Sequence, residues 1–179
     1  MILATDDGWE AVCFNAPVIE YIPTRTERDR VGHLGPDLTR EGVDLDAAVR
    51  RFEQVDQSTE IGVALLDQRV ACGVGNVYKS EVCWLERVNP FTPVGVVDHD
   101  TRRVLLATSS RLLQANVHTS RRITYRGALA VYDRSGRPCR RCATAVRSHK
   151  QGDDARMTYW CPTCQPSVVS GQPDVTGQR

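Results

Sequence analysis

Hydrophobic and polar positions change their period along this chain, and each change marks a predicted element. Apolar residues at Ile2 and Leu3, a polar Asp6-Asp7-Gly8 and an apolar return through Trp9, Val12 and Phe14 predict a β-hairpin. Residues 17–22 alternate in part and predict a third strand, with Cys13 in the core between them. Pro23, Gly32, Gly35, Pro36 and Gly42 then break residues 23–43 into a charged connector. The period next lengthens to that of a helix. Asp44 caps a helix whose apolar face is Leu45, Ala48, Val49 and Phe52. Thr59 is placed to cap a second, with Ile61, Ala64 and Leu65 on its face. Val77, Glu81, Trp84 and Leu85 recur at helical spacing in a third. Asp98 caps a fourth, which runs through Leu105 and Leu112 to about His118. Residues 125–132 predict a strand, Asp133–Gly136 a turn, and residues 143–160 a second hairpin that turns at 151–154.

Runs of strand followed by runs of helix place the chain in the α+β class. The boundary between its first two parts falls at His33-Leu34-Gly35-Pro36-Asp37, where His33 reads as a surface or packing residue. Apolar runs are far too short for a membrane span. Net charge is +1, but it is unevenly spread. Residues 1–101 carry 9 Lys and Arg against 18 Asp and Glu, whereas residues 102–150 carry 12 against 1. A basic half of that size is the electrostatic footprint of a phosphate backbone, or else a solvated basic face.

The strongest chemical signal is Cys139-x2-Cys142 followed, across an 18-residue spacer, by Cys161-x2-Cys164. Two such pairs give four thiolates to one ion, the donor set of structural Zn2+. A closed tetrahedron leaves no position for water, so the metal holds a fold and performs no chemistry. An acidic start at Asp6-Asp7 is unlike a signal peptide, which disfavours disulfides as the alternative.

A second signal is Gly73-Val74-Gly75-Asn76. Two glycines allow a tight turn and close approach of another chain. The helix that follows offers unpaired N–H groups and the positive end of its dipole to an anion, with the Asn76 amide as a further donor. The competing reading is a packing corner with Asn76 as helix cap. A nucleotide-binding loop is excluded, because the fingerprint spacing and the preceding strand are missing. Lys79, one turn into the helix, either reaches a phosphate or is solvated. Arg156, five residues before Cys161, can fork onto a phosphate or be one more basic surface residue.

These pieces, in this order, resemble the formamidopyrimidine-DNA glycosylase and endonuclease VIII family of base-excision repair enzymes, closest to its actinobacterial endonuclease VIII-like members. The matching segments are His33–Asp37, Leu65-Leu66-Asp67-Gln68, Gly73 through Glu81, Val131-Tyr132 with Gly136 through Cys142, and Arg156 through Gln165. The resemblance implies the last strands of a catalytic β-sandwich at 1–35 and a helix–two-turns–helix DNA-binding domain at 36–124. It further implies a four-cysteine zinc finger at 125–165, while the aperiodic Ser, Val, Gly, Gln, Asp and Thr after Pro166 predict a disordered tail at 166–179. It implies that Gly75 and Asn76 lie at the phosphate-binding turn, and that Arg156 grips phosphates beside an everted base. Cys139, Cys142, Cys161 and Cys164 would hold Zn2+.

The implied partner is double-stranded DNA carrying a damaged base or an abasic site, with no membrane and no small-molecule cofactor, in a bacterial cytoplasm at the nucleoid. The implied activity is DNA glycosylase with AP lyase β-elimination. The family's nucleophile is an N-terminal proline followed by glutamate, and this chain begins Met1-Ile2-Leu3. Catalytic residues are therefore unassigned, and an N-terminally truncated member with weak or no catalysis is expected. Its partial sheet should leave an adhesive edge. The rival readings are a zinc-stabilised module that binds damaged DNA without cutting it, and a zinc-stabilised interaction protein that binds no DNA.

Overall fold

The computed structural model describes residues 1–14, 18–119 and 122–167. The chain divides into two compact units, Met1–Gly32 and His33–Arg179. In the first, β1 (Ile2–Ala4) pairs antiparallel with β2 (Glu10–Val12), Ile2 facing Val12. Gly8, at φ 88°, closes the turn, a conformation that costs a glycine little.

The third strand is absent from the described residues. Residues 18–23 are irregular, and Pro17 lies outside the described residues. The stretch read as connector instead holds a 3-10 turn at Thr24–Thr26 and α1 (Glu27–Val31). Glu27 and Asp29 in its first turn and Arg30 in its last match the helix dipole. Cys13 is exposed rather than core. The reason is general to this unit: among its described residues only Ile22 and Thr26 reach even half burial, so there is no core to enter.

The second unit is built on helices. In α2 (Leu45–Arg51), Asp44 caps the first turn by accepting from the Ala47 N–H at 2.8 Å. In α5 (His99–Asn116), Asp98 does the same for Thr101. Thr59 does not cap α3 (Ile61–Ala64). Glu60 is the N-cap there, without a side-chain bond. The N–H groups of Ile61 and Gly62 go instead to the carbonyls of Thr92 and Pro90, so passing backbone takes the place of a cap. Leu38, Phe52, Ile61, Leu65, Val82, Leu105 and Leu106 make the main core.

The fourth helix, α4 (Asn76–Leu85), is buried on every side from Tyr78 to Trp84. It joins the main core to a smaller one formed by Trp84, Ala130, Val131, Cys139, Val146 and Cys161. Over that second core lies the hairpin of β3 (Arg147–Gln151) and β4 (Arg156–Trp160), with His149 facing Thr158. The α+β expectation therefore holds.

Residues 125–132 are not a strand. Tyr125 and Ala128 form an isolated bridge around Arg126 and Gly127, both at positive φ, and the chain then wraps a carboxylate. Glu81, fully buried on α4, accepts from the N–H of Ala130 at 2.7 Å and of Val131 and Tyr132 at 2.8 Å, and from the Thr124 hydroxyl. Donors that a neighbouring strand would have paired are paired by one side chain. Residues 168–179, most of the tail expected to be disordered, lie outside the described residues.

Candidate nucleic-acid interface and metal centre

Residues 68–76 form a braced turn. The Gln68 side chain accepts from the Gly73 N–H at 3.1 Å and donates to the Val74 carbonyl at 3.3 Å. His33–Asp37 packs along it: Gly35 donates to the Gln68 carbonyl, and Cys72 exchanges backbone bonds with Pro36 and Leu38. Gly35 fits only because it lacks a Cβ, which would lie 2.3 Å from the Val70 carbonyl oxygen.

The two glycines of the turn differ. Gly73 sits at φ +106°, where an L side chain is strained. Gly75 has an ordinary extended backbone, and a Cβ there would meet nothing. The fold does not demand a glycine at Gly75, and the space in front of it is open.

Gly75 is the N-cap of α4 and has no side chain to offer. The N–H groups of Asn76, Val77 and Tyr78 find no acceptor among the described residues. Those donors, with the helix dipole behind them, form an anion seat. Asn76 is neither the cap nor simply a donor to that seat. Its Nδ2 donates to the Met157 carbonyl at 2.8 Å, and its buried Oδ1 has no partner. That bond ties β4, one residue along from Arg156, to the first residue of α4. Arg156 is half exposed and holds an ion pair with Asp154 at 3.2 Å.

Lys79 is the plainest correction. It is neither solvated nor directed at a phosphate. It is fully buried, and its Nζ donates to Thr158 Oγ1 at 2.6 Å. Burial brings its amine down to about 8.

The four cysteines converge. All four Sγ atoms lie within 4.8 Å of one another, with Cys142–Cys161 at 3.4 Å and Cys139–Cys164 at 3.9 Å. A tetrahedral ion with bonds of about 2.3 Å needs sulfurs roughly 3.8 Å apart, so the donor set fits. Hydrogen bonds from Thr144 draw the Cys142 thiol down to about 6, whereas burial pushes Cys161 up to about 12. Cys139 also receives the Trp84 indole N–H at 3.3 Å and the Arg141 backbone N–H at 3.5 Å. N–H donors of this kind hold metal thiolates in place.

The knuckles are bolted to the helices. The Arg141 guanidinium lies 4.0 Å from the centre of the Trp84 ring and donates to the carbonyls of Trp84 and Leu85 at the end of α4. Gln165, fully buried, accepts from the Cys161 N–H and donates to Val88, while Asn89 donates to the Gln165 carbonyl.

The family described as Formamidopyrimidine-DNA glycosylase H2TH domain matches residues 34–126, more than half of the chain. The chain belongs to this family. A protein of Streptomyces coelicolor named as a probable endonuclease 8 2 is 44% identical, over 100% of this chain and 66% of its own. A DNA-(apurinic or apyrimidinic site) lyase of Mycolicibacterium smegmatis is 37% identical, over 92% of this chain and 65% of its own. The chain thus spans just under two thirds of the length of these relatives. A solved structure of MutM in complex with DNA containing carbocyclic 8-oxo-G is 26% identical, with a TM-score of 0.69 over 82% of this chain and 57% of that one. A complex of the Lactococcus lactis protein with DNA containing an abasic site shares the fold at a TM-score of 0.67.

Proposed function

We propose that this chain carries the DNA-gripping part of a base-excision repair protein, of the glycosylase and AP lyase lineage that its endonuclease 8 relatives are named for. Its partner is duplex DNA with a damaged base or an abasic site. The Asn76–Met157 bond carries the reading, because it ties the first residue of α4, whose N-terminal N–H groups are unpaired among the described residues, to the strand that carries Arg156. A phosphate there meets oriented N–H donors and a fork of charge. Gly75 leaves room for the approach. The basic surplus in residues 102–150 supplies attraction that does not depend on sequence.

The metal is inferred to be Zn2+, held by Cys139, Cys142, Cys161 and Cys164. Bound there, it would fasten the two knuckles and through them β4. The chain's own side chains do the rest: Trp84 and Arg141 tie the knuckles to α4, and Asn76 ties β4 to the turn.

Of the two lysines, Lys79 is sealed from solvent and Lys150 is exposed on β3. The test is binding to a duplex with one abasic site at two salt concentrations, with borohydride trapping in parallel. Salt-sensitive binding supports the reading, and a trapped adduct would assign the lyase chemistry to an amine of this chain. Salt-independent or absent DNA binding would overturn it.

A further inference from the structure

Lys79 has no place in the site as described, yet burying an amine completely is costly. Among the described residues no carboxylate lies within ion-pairing distance of it, and Thr158 Oγ1 is its only hydrogen-bond acceptor. The bond is the first in a continuous chain. The Thr158 hydroxyl donates to Gln151 Oε1 at 2.8 Å, and Gln151 Nε2 donates to Glu60 Oε2 at 2.9 Å and to the Pro90 carbonyl at 2.8 Å. Thr158 is fully buried and Gln151 nearly so. Gln151 is also the residue that faces Arg156 across the hairpin. The chain therefore starts one turn after Asn76 on α4, passes through the cross-strand neighbour of Arg156, and ends at Glu60 and Pro90.

We propose that Lys79 is a positioning residue for phosphate binding: through Thr158 and Gln151 its ammonium fixes Arg156 relative to the N-terminus of α4, and its charge adds attraction from behind. This rests on the gripping site proposed above. An apolar residue of the same length would fill the space without desolvating a charge, so packing alone does not call for a lysine. The charged or titratable groups that face it are Cys83 on its own helix, Arg156 on β4 and Glu60 at the start of α3. Cys83 is held protonated by burial, its thiol pushed up to about 12. Lys79, drawn down to about 8 by burial, is placed to change charge just above neutral pH. A bound phosphate favours the charged amine, so affinity must fall as pH rises through that value.

The test uses the full zinc-loaded chain and a duplex with one stable abasic-site analogue. Affinity is measured from about pH 7 to about pH 9.5. Wild type should lose several-fold in affinity across that range. Lys79→Met should bind roughly tenfold more weakly at the low end and show a flat profile. Thr158→Val should weaken binding less than additively with Lys79→Met, because the two act in one chain. A flat wild-type profile overturns the proposal even if Lys79→Met fails to fold. So does a Lys79→Met variant that keeps the wild-type slope. Arg156→Ala serves as the control for the site itself. If it binds like wild type, the gripping site is wrong and this inference falls with it; if it is weak while the wild-type profile is flat, only the role of Lys79 fails.

Discussion

Asn76 on α4 and Met157 on β4 are 81 residues apart in sequence, and the amide of one donates to the carbonyl of the other at 2.8 Å. The bond ties the first residue of α4 to the strand that carries Arg156. Asn76→Ala removes the strap but no charge. Affinity for abasic duplex should fall about tenfold, with little change in salt dependence. On the proposed function Arg156→Ala would remove one phosphate contact, and should lower affinity and reduce the slope of log affinity against log salt by about one. Anisotropy titrations over a salt series separate the two. Equal slopes for Arg156→Ala and wild type would remove Arg156 from the interface.

Glu81 is held more tightly than any surface carboxylate could be. Each oxygen accepts two hydrogen bonds, three of the four from consecutive backbone N–H groups at residues 130–132. Glu81→Gln turns one oxygen into a donor that faces donors. The cost should be about 2–3 kcal/mol, since a buried group loses its partner. The melting temperature should fall by several degrees while helix content by circular dichroism is retained. A variant as stable as wild type would show that residues 124–132 do not depend on this carboxylate.

The same carboxylate explains what the sequence conceals. Capped helices were legible at Asp44 and Asp98, because capping is local and its residues are adjacent in the chain. The cysteine cluster was legible because its spacing is chemical. Residues 125–132 looked like a strand because their apolar character is real, but their hydrogen-bond partner lies far back in the chain on α4, and periodicity carries no trace of it. Lys79 misled for a related reason. A lysine in a first helical turn is ordinarily solvated, and only the arrival of Thr158 from β4 gives it an interior partner. The strand expected at 17–22 failed differently: alternation predicts a face, and among the described residues of the first unit nothing is packed against one.

Asp154 holds Arg156 in an exposed ion pair at 3.2 Å, and a phosphate bound at Arg156 as proposed would compete with it. Pairs this exposed are weak. Asp154→Asn should therefore raise DNA affinity, by about two- to threefold, through a slower dissociation and a smaller local repulsion of the phosphate. The same variant should leave thermal stability nearly unchanged. Weaker binding by Asp154→Asn would mean that the pair orients Arg156 rather than restrains it.

Lys79 also makes a prediction about stability, opposite in sign to that for binding. Its amine is lowered from 10.5 to about 8 in the folded chain by burial. Below about 8 both folded and unfolded chains carry the proton, and the cost of the buried charge is fully felt. Between about 8 and 10.5 the folded chain holds fewer protons than the unfolded one, so stability contributed at this site rises with pH. Denaturant midpoints at about pH 7.5 and 9.5 should show wild type gaining on Lys79→Met. DNA affinity should move the other way over the same range. Parallel curves for the two proteins would show that the buried amine does not titrate there.

Metal removal should act on one part of the second unit first. The hairpin is two strands of five residues, too small to be stable alone in water. Four close thiols without an ion would also repel one another once deprotonated, so the free energy of metal binding is in large part folding energy of the knuckles. The helical core built on Leu38, Phe52, Ile61 and Leu105 contains none of the four cysteines. Chelation should therefore abolish amide protection in residues 147–160 and change the fluorescence of Trp84 and Trp160, one bonded to Cys139 and the other beside Cys161. Protection in α5 should survive. DNA binding should be lost in step with the hairpin, because Arg156 travels with it, and should return when Zn2+ is restored. Full protection of the hairpin after chelation would mean that its contacts to α4 through Asn76 and Lys79, and to Glu60 and Pro90 through Gln151, hold it in place.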